Sequence, residues 1–193
     1  MKNLGDNRQS FDQFGFRPSL GFEHALIAFE TVSEKCLEWG VDVWIASLDL
    51  QKVFDEIECD SLFEVLHTQN APDEYIEVLA ALCQNQTGTM EGNPPFSIQR
   101  EVKQGHILSP ALFNAGLEEM FSSWKRRLAT HGLDVGAQER LTKFLYAYDL
   151  LVHAKSLAEL VYMIESLCEE FALVGLQPNA AKTKIFRICT KKM

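Results

Sequence analysis

Apolar residues recur at helical spacing in GFEHALIAFETVSEKCLEWG, where Leu26, Phe29, Val32 and Cys36 mark one side of a predicted helix that stops at Gly40. The following VDVWIASLDL switches to an almost unbroken β-branched and apolar run of strand length, the pattern of a buried central strand. That run ends in acid at Asp49. Helical patterns resume near Asp60 or Ser61 and again at Pro72, whose fixed φ suits a first helical position. Asp73 and Glu74 then complement the positive end of that helix's dipole. GTMEGNPPFSIQREVKQG predicts two short strands around a Gly/Pro turn. LSPALFNAGLEEMFSSWKRRLATHG predicts a helix capped by Ser109 and ending near Gly132. LTKFLYAYDLLVHAK reads as a strand, a tight turn carrying acid, and a return strand. A helix with a capping box of Ser156 and Glu159 follows, closing at Gly175, and KTKIFRI predicts a last strand. The order predicts an α+β fold, a small antiparallel sheet with helices packed on one face, and alternates too irregularly for a doubly wound parallel sheet.

At 193 residues the chain fits one domain or a fragment of something larger. Its 47% hydrophobic content argues against disorder. A net charge of -9 argues against whole-surface attraction to nucleic acid, although a local basic stripe or a bound metal can still dominate a site. Five scattered cysteines, Cys36, Cys59, Cys83, Cys168 and Cys189, form no C-x-x-C pair and read as reduced thiols. No signal core or membrane-length apolar run is present, so a soluble, intracellular protein with no membrane partner is expected. His24, His67, His131 and His153 show no metal-ligand spacing and read as surface or core residues. The basic WKRR at Trp124 to Arg127 reads as a short surface run.

Four segments carry candidate chemistry. In SLDLQKVFDEI, a carboxylate at the end of an apolar strand is costly unless something positive holds it, and the bulky Phe54 follows with Asp55 directly behind. A strand-end cap is the plain alternative for Asp49. REVKQGHILSPALFN runs a flexible Gln104–Gly105 pair into a helix start whose free N–H groups favour an anion, or serve simply as a capped helix. The KFLYAYDLLVHA hairpin presents Asp149. In GLQPNAAKTKIF, Lys182 lies just before a strand, either in reach of a phosphate or as a solvated surface charge.

Taken in order, DQFGFRPSLGFEHALIAF, ASLDLQKVFDEI, KQGHILSPALFN, KFLYAYDLLVHA and GLQPNAAKTKIF resemble successive motifs of reverse transcriptases of the non-LTR retrotransposon and group II intron type. The resemblance runs from Gln13 to about Phe186. It implies a right-hand polymerase fold, with the end of the fingers over about 1–40 and the palm over about 41–193. Early fingers would lie upstream and the thumb downstream, so no thumb is expected here. It implies RNA-directed DNA polymerisation, adding a dNTP to a DNA primer 3′-OH on an RNA template with two Mg²⁺ ions, or Mn²⁺ in their place. By resemblance Asp49, the Leu50 carbonyl and Asp149 hold metal, and Lys182 serves the pyrophosphate leaving group. Phe54 is the gate against a ribose 2′-OH, Gln104 and Gly105 support the templating pair and nucleotide, and Arg17 contacts the triphosphate or template backbone.

Two positions depart from the family pattern. The hairpin of the family reads aromatic-Ala-Asp-Asp, and here Tyr148 replaces the first Asp. His106 and Ile107 stand where Gln-Gly-Asp-Pro-Leu-Ser-Pro has Asp and Pro. Two divalent ions about 4 Å apart repel by roughly 15 kcal/mol at an effective dielectric of about 20, so a lost carboxylate matters. A phenol, which ionises only near pH 10, does not replace it. The expectation is therefore a polymerase palm that is impaired or inactive, the rival reading being a non-catalytic RNA- or protein-binding remnant of a retroelement. A phosphotransferase using Asp49 as nucleophile would want an acid two residues on, where Gln51 stands.

Overall fold

The computed structural model describes residues 10–51, 59–68, 71–83, 86–88, 92, 94, 96–98, 109–136, 139–147 and 149–189. In chain order the elements are α1 (Phe22–Trp39), β1 (Val43–Gln51), α2 (Cys59–Thr68), α3 (Asp73–Cys83), β2 (Gln86–Gly88), β3 (Phe96–Ile98), α4 (Ser109–Leu128), β4 (Lys143–Tyr146), β5 (Asp149–Ala154), α5 (Leu157–Leu173), β6 (Gln177–Pro178) and β7 (Lys184–Ile188). β1 is central. β5 pairs with it on one side and β4 lies beyond β5, while β6 and β7 share its other side, all antiparallel. β2 and β3 form a separate ribbon.

Side chains alternate across a strand, and β1 buries both of its faces. Ala46, Leu48 and Leu50, with Leu150, Val152 and Ala154 of β5, enter a core built by Leu117, Phe121 and Trp124 of α4 and Met163, Leu167 and Phe171 of α5. Trp124 Nε1 donates to the Met163 carbonyl at 3.1 Å, so the largest buried ring joins these helices without leaving its polar atom unpaired. Val43 and Ile45 point the other way, into a smaller core with Phe14, Cys36 and Phe144. The expected helix-covered face is the α4 and α5 side; α1 additionally lies across the opposite face, packing Ala25, Ala28, Phe29 and Val32 there.

The helix ends follow local chemistry. Gly40 sits at φ 69°, a left-handed geometry that costs glycine nothing, and Val41 N donates back to the Cys36 carbonyl at 2.8 Å. Ser156 caps α5 by accepting from Glu159 N at 3.1 Å. The return half of the expected box goes elsewhere: the Glu159 carboxylate accepts from Lys155 N at 2.8 Å and Gly132 N at 2.9 Å. α4 ends at Leu128, short of Gly132, because the chain turns at Ala129 (φ 49°) to bring Leu133 into a bridge with Leu141.

The segment ahead of α1 seals the outer edge of β4. Phe14 N donates to the Leu145 carbonyl at 2.8 Å, and Leu145 N to the Asp12 carbonyl at 2.9 Å. Beneath these bonds the fully buried Lys143 ammonium meets the fully buried Asp12 carboxylate at 2.7 Å, and Lys125 reaches the same carboxylate at 2.8 Å. Burial opposes ionisation of Asp12, yet the two ammonium groups hold its carboxyl below the ordinary range. Burial lowers the Lys143 ammonium, with Asp12 opposing that shift, and it raises the nearby Glu118 carboxyl. The WKRR run is thus not a free surface patch: Lys125 enters the Asp12 cluster, Arg127 pairs with Glu169 and Glu170, and Arg126 lies 3.8 Å from Glu119.

His153 of β5 is 1% exposed, edge-on to the Phe144 ring at 4.9 Å, and burial pushes its pKa down from 6.5 to about 4. The folded chain therefore holds the ring neutral where the unfolded chain protonates it. Its share of stability is complete above about pH 6.5 and is lost as pH falls toward 4, by about 3 kcal/mol in total. Urea unfolding of His153→Leu beside the parent chain, at pH values from 7 to 4, should show that share removed: the parent loses more stability than the variant over this window.

Candidate active site

Asp49 lies two residues before the end of β1 and Asp149 opens β5, and the two are direct partners in the antiparallel register, so both carboxylates stand on one face of the sheet. Like charges placed so repel, and the structure offsets this with a cation: Lys182 Nζ lies 3.0 Å from Asp49 Oδ2. The β4–β5 hairpin turns through two residues, since Tyr146 pairs with Asp149. Ala147 at φ 54° gives the turn the handedness that suits twisted strands. Tyr148, Phe54, Gln104 and Gly105 lie outside the described residues.

Lys182 reaches Asp49 because the strand partnering β1 is interrupted at that level. β7 pairs with Val43 to Ser47 and β6 with Leu50 and Gln51, leaving residues 179–183 to loop out beside Asp49. Asn179 N donates to the Asp49 carbonyl at 2.8 Å, and its Nδ2 lies 3.4 Å from Asp49 Oδ2. The Asn179 carbonyl in turn accepts from Lys182 N and Thr183 N, both at 3.0 Å, and from Thr183 Oγ1 at 2.9 Å. Asn179 was not among the residues singled out from sequence, although Asn followed three residues later by Lys before a strand is a readable turn signal.

The hairpin turn is held from behind. A Cβ on the buried Gly15 would lie 2.2 Å from the Ala147 backbone nitrogen, so only glycine permits this approach. Asn114 of α4 fixes the approach, accepting from Gln13 Nε2 and donating to the Gly15 carbonyl, each at 3.0 Å. Arg17 is drawn into the same loop: its Nη1 donates to the carbonyls of Ser10 (3.2 Å) and Gln13 (3.0 Å). Phe22 packs edge-on against Tyr146 at 5.5 Å, on the face that carries the carboxylates. Leu50 is buried next to Asp49 and pairs with Pro178. Asp49, Leu50, Asp149 and Lys182 are therefore brought together, while Arg17 is turned to its own loop.

Among the described residues the donor set falls short of a two-ion centre. Among the described residues no three His, Cys, Asp or Glu side chains converge, and Asp49 already faces an ammonium. Two carboxylates with one counter-ion do not fit a pair of divalent cations.

A small antiparallel sheet backed by helices, with paired carboxylates on its two central strands beside the β4–β5 turn, is the architecture of a polymerase palm. Solved telomerase structures share this fold. That of Candida tropicalis in complex with the TWJ fragment of telomeric RNA has a TM-score of 0.72 at 13% identity, over 95% of this chain and 32% of that one. The apo enzyme truncated from its C-terminal domain gives 0.69 at 15%, over 91% and 36%. Residues 1–192 match the reverse transcriptase (RNA-dependent DNA polymerase) family, and the chain belongs to it. The Pol polyprotein of the type-2 retrotransposable element R2DM of Drosophila melanogaster is 27% identical over 88% of this chain and 16% of its own length. That of the type-1 element R2 of Popillia japonica is 28% identical over 72% and 20%. A putative COX1/OXI3 intron 2 protein of Saccharomyces cerevisiae is 24% identical over 94% and 20%. The chain thus spans a fifth or less of the curated relatives it matches. The family uses divalent metals and nucleic-acid partners. Among the described residues no helix is long and apolar enough to cross a membrane.

Gly15→Ala should force the segment and the hairpin turn apart. Denaturant unfolding is expected to show a loss of about 2 kcal/mol or more, the cost of overpacking against backbone that cannot rotate away.

Proposed function

We propose that this chain is a reverse-transcriptase palm, with the end of the fingers over about 1–40, whose RNA-directed DNA polymerisation is impaired because Tyr148 stands where a metal-binding aspartate belongs. The observation that carries the reading is the opposed pair Asp49 and Asp149, with Tyr148 next to Asp149 in sequence where the family pattern has an acid. On this reading the opposed carboxylates keep their places while the hairpin carries one acid fewer than the family pattern. RNA template, DNA primer and dNTP are the partners by kinship, and Mg²⁺, or Mn²⁺ in its place, is the metal the family's arrangement would use. In that arrangement Asp49, Asp149 and the Leu50 carbonyl would be the ligands, with Phe54, Gln104 and Gly105 around the nucleotide. Lys182 would face the leaving group and Arg17 the triphosphate or template.

Catalysis of this kind is positioning and charge stabilisation, so a missing anion acts on the barrier directly. The test is primer extension on an RNA template, with the chain set between the fingers and thumb of a family member, comparing the parent with Tyr148→Asp. Restoring the acid is expected to raise the rate by at least ~10³-fold, or ~4 kcal/mol of barrier. Synthesis by the parent equal to that of the variant would overturn the reading.

A further inference from the structure

Tyr146, Asp149 and Asp49 are successive partners across β4, β5 and β1, so one aromatic ring and two carboxylates form a row on a single face of the sheet. Phe22 extends the row at its aromatic end, its ring packed edge-on with that of Tyr146 at 5.5 Å. The start of α1 fixes its place: Gly21 N donates to His24 Nδ1 and His24 N to the Gly21 carbonyl, each at 3.1 Å. The ring is nevertheless 56% exposed, and Leu26, one helical turn on, is exposed beside it. α1 is anchored to the small core by Ala25, Ala28, Phe29 and Val32 instead. A phenyl ring is thus held at the edge of the carboxylate row, with most of the work of docking α1 done elsewhere.

We propose that Phe22 is a base-stacking surface of the palm, the ring on which a nucleobase of a bound template–primer hybrid rests. This rests on the reading of the chain as a palm that handles nucleic acid. The charge of the chain favours such a contact. With a net charge of -9 and two acids in the row, attraction to phosphate is weak, so an uncharged contact carries more of the affinity. Every nucleobase has a flat face that an aromatic ring can take, and stacking of this kind tolerates any sequence. A surface that must hold each template in turn gains from a contact that holds a base without reading it.

The experiment is fluorescence anisotropy of a labelled DNA primer annealed to an RNA template, titrated at several salt concentrations. It uses the parent chain, Phe22→Ala, Phe22→Leu, Phe22→Trp and Trp39→Ala. Trp39 is the control, 66% exposed at the far end of α1. Phe22→Ala and Phe22→Leu are expected to weaken hybrid binding about ten-fold, and Phe22→Trp to retain it. Trp39→Ala should stay within about two-fold of the parent. Stacking releases no counterions, so Phe22→Ala should keep the parent's slope of log K against log salt. Binding by Phe22→Leu as tight as the parent's overturns the proposal and marks an apolar surface suited to a protein partner. An equal loss in Trp39→Ala overturns it as well. If the parent binds the hybrid and no Phe22 variant differs from it, the stacking proposal alone fails. If the parent binds no hybrid, the nucleic-acid partners of the palm reading fail with it.

Discussion

The contact between Lys143 and Asp12 constrains everything that lies beyond it. Each group is buried without residual exposure, so neither can be stripped of the other without leaving a charge in an apolar interior. The pair is satisfied by one alignment of the segment before α1 along β4. A shift by one residue would put Lys143 on the wrong face of the sheet. That alignment sets Gln13 beside Leu145 and Gly15 against Ala147, which places the hairpin and therefore Asp149.

From there the site is a matter of parity. Even-numbered positions of β1 belong to the α4 and α5 core and odd-numbered ones to the opposite face, so Asp49 shares its side with Val43 and Ile45. Register with β5 brings Asp149 to the same side. Two repelling carboxylates are thereby produced by strand geometry alone, and the cation that tempers them comes from the interruption between β6 and β7.

Much of the fold was legible because it rests on local signals. The apolar run to Asp49, the helix stop at Gly40, the Ser156 cap and the position of the hairpin are written in contiguous residues. Asp49, Asp149 and Lys182 were legible through motif order, and the structure brings them together. What sequence did not disclose depends on partners distant along the chain. Nothing in the residues around Lys143 marks it as buried, since its partner Asp12 is 131 residues away. Asn114 lay within a quoted motif, yet its work is to bracket Gln13 and Gly15 across 101 and 99 residues. Lys125 to Arg127 looked like free surface charge because the acids that take them lie on other elements. His153 was expected at the surface or in the core, and it is a core residue whose environment disfavours its charge.

The support behind the hairpin has a consequence for its sequence. The turn is braced through main-chain atoms of Ala147 and Gly15 and through strand pairing at Tyr146 and Asp149, none of which calls on the side chain at position 148. The hairpin's backbone brace therefore sets no demand of its own on the residue type at position 148. Shape and charge at this turn thus rest on different atoms, and either can change without the other.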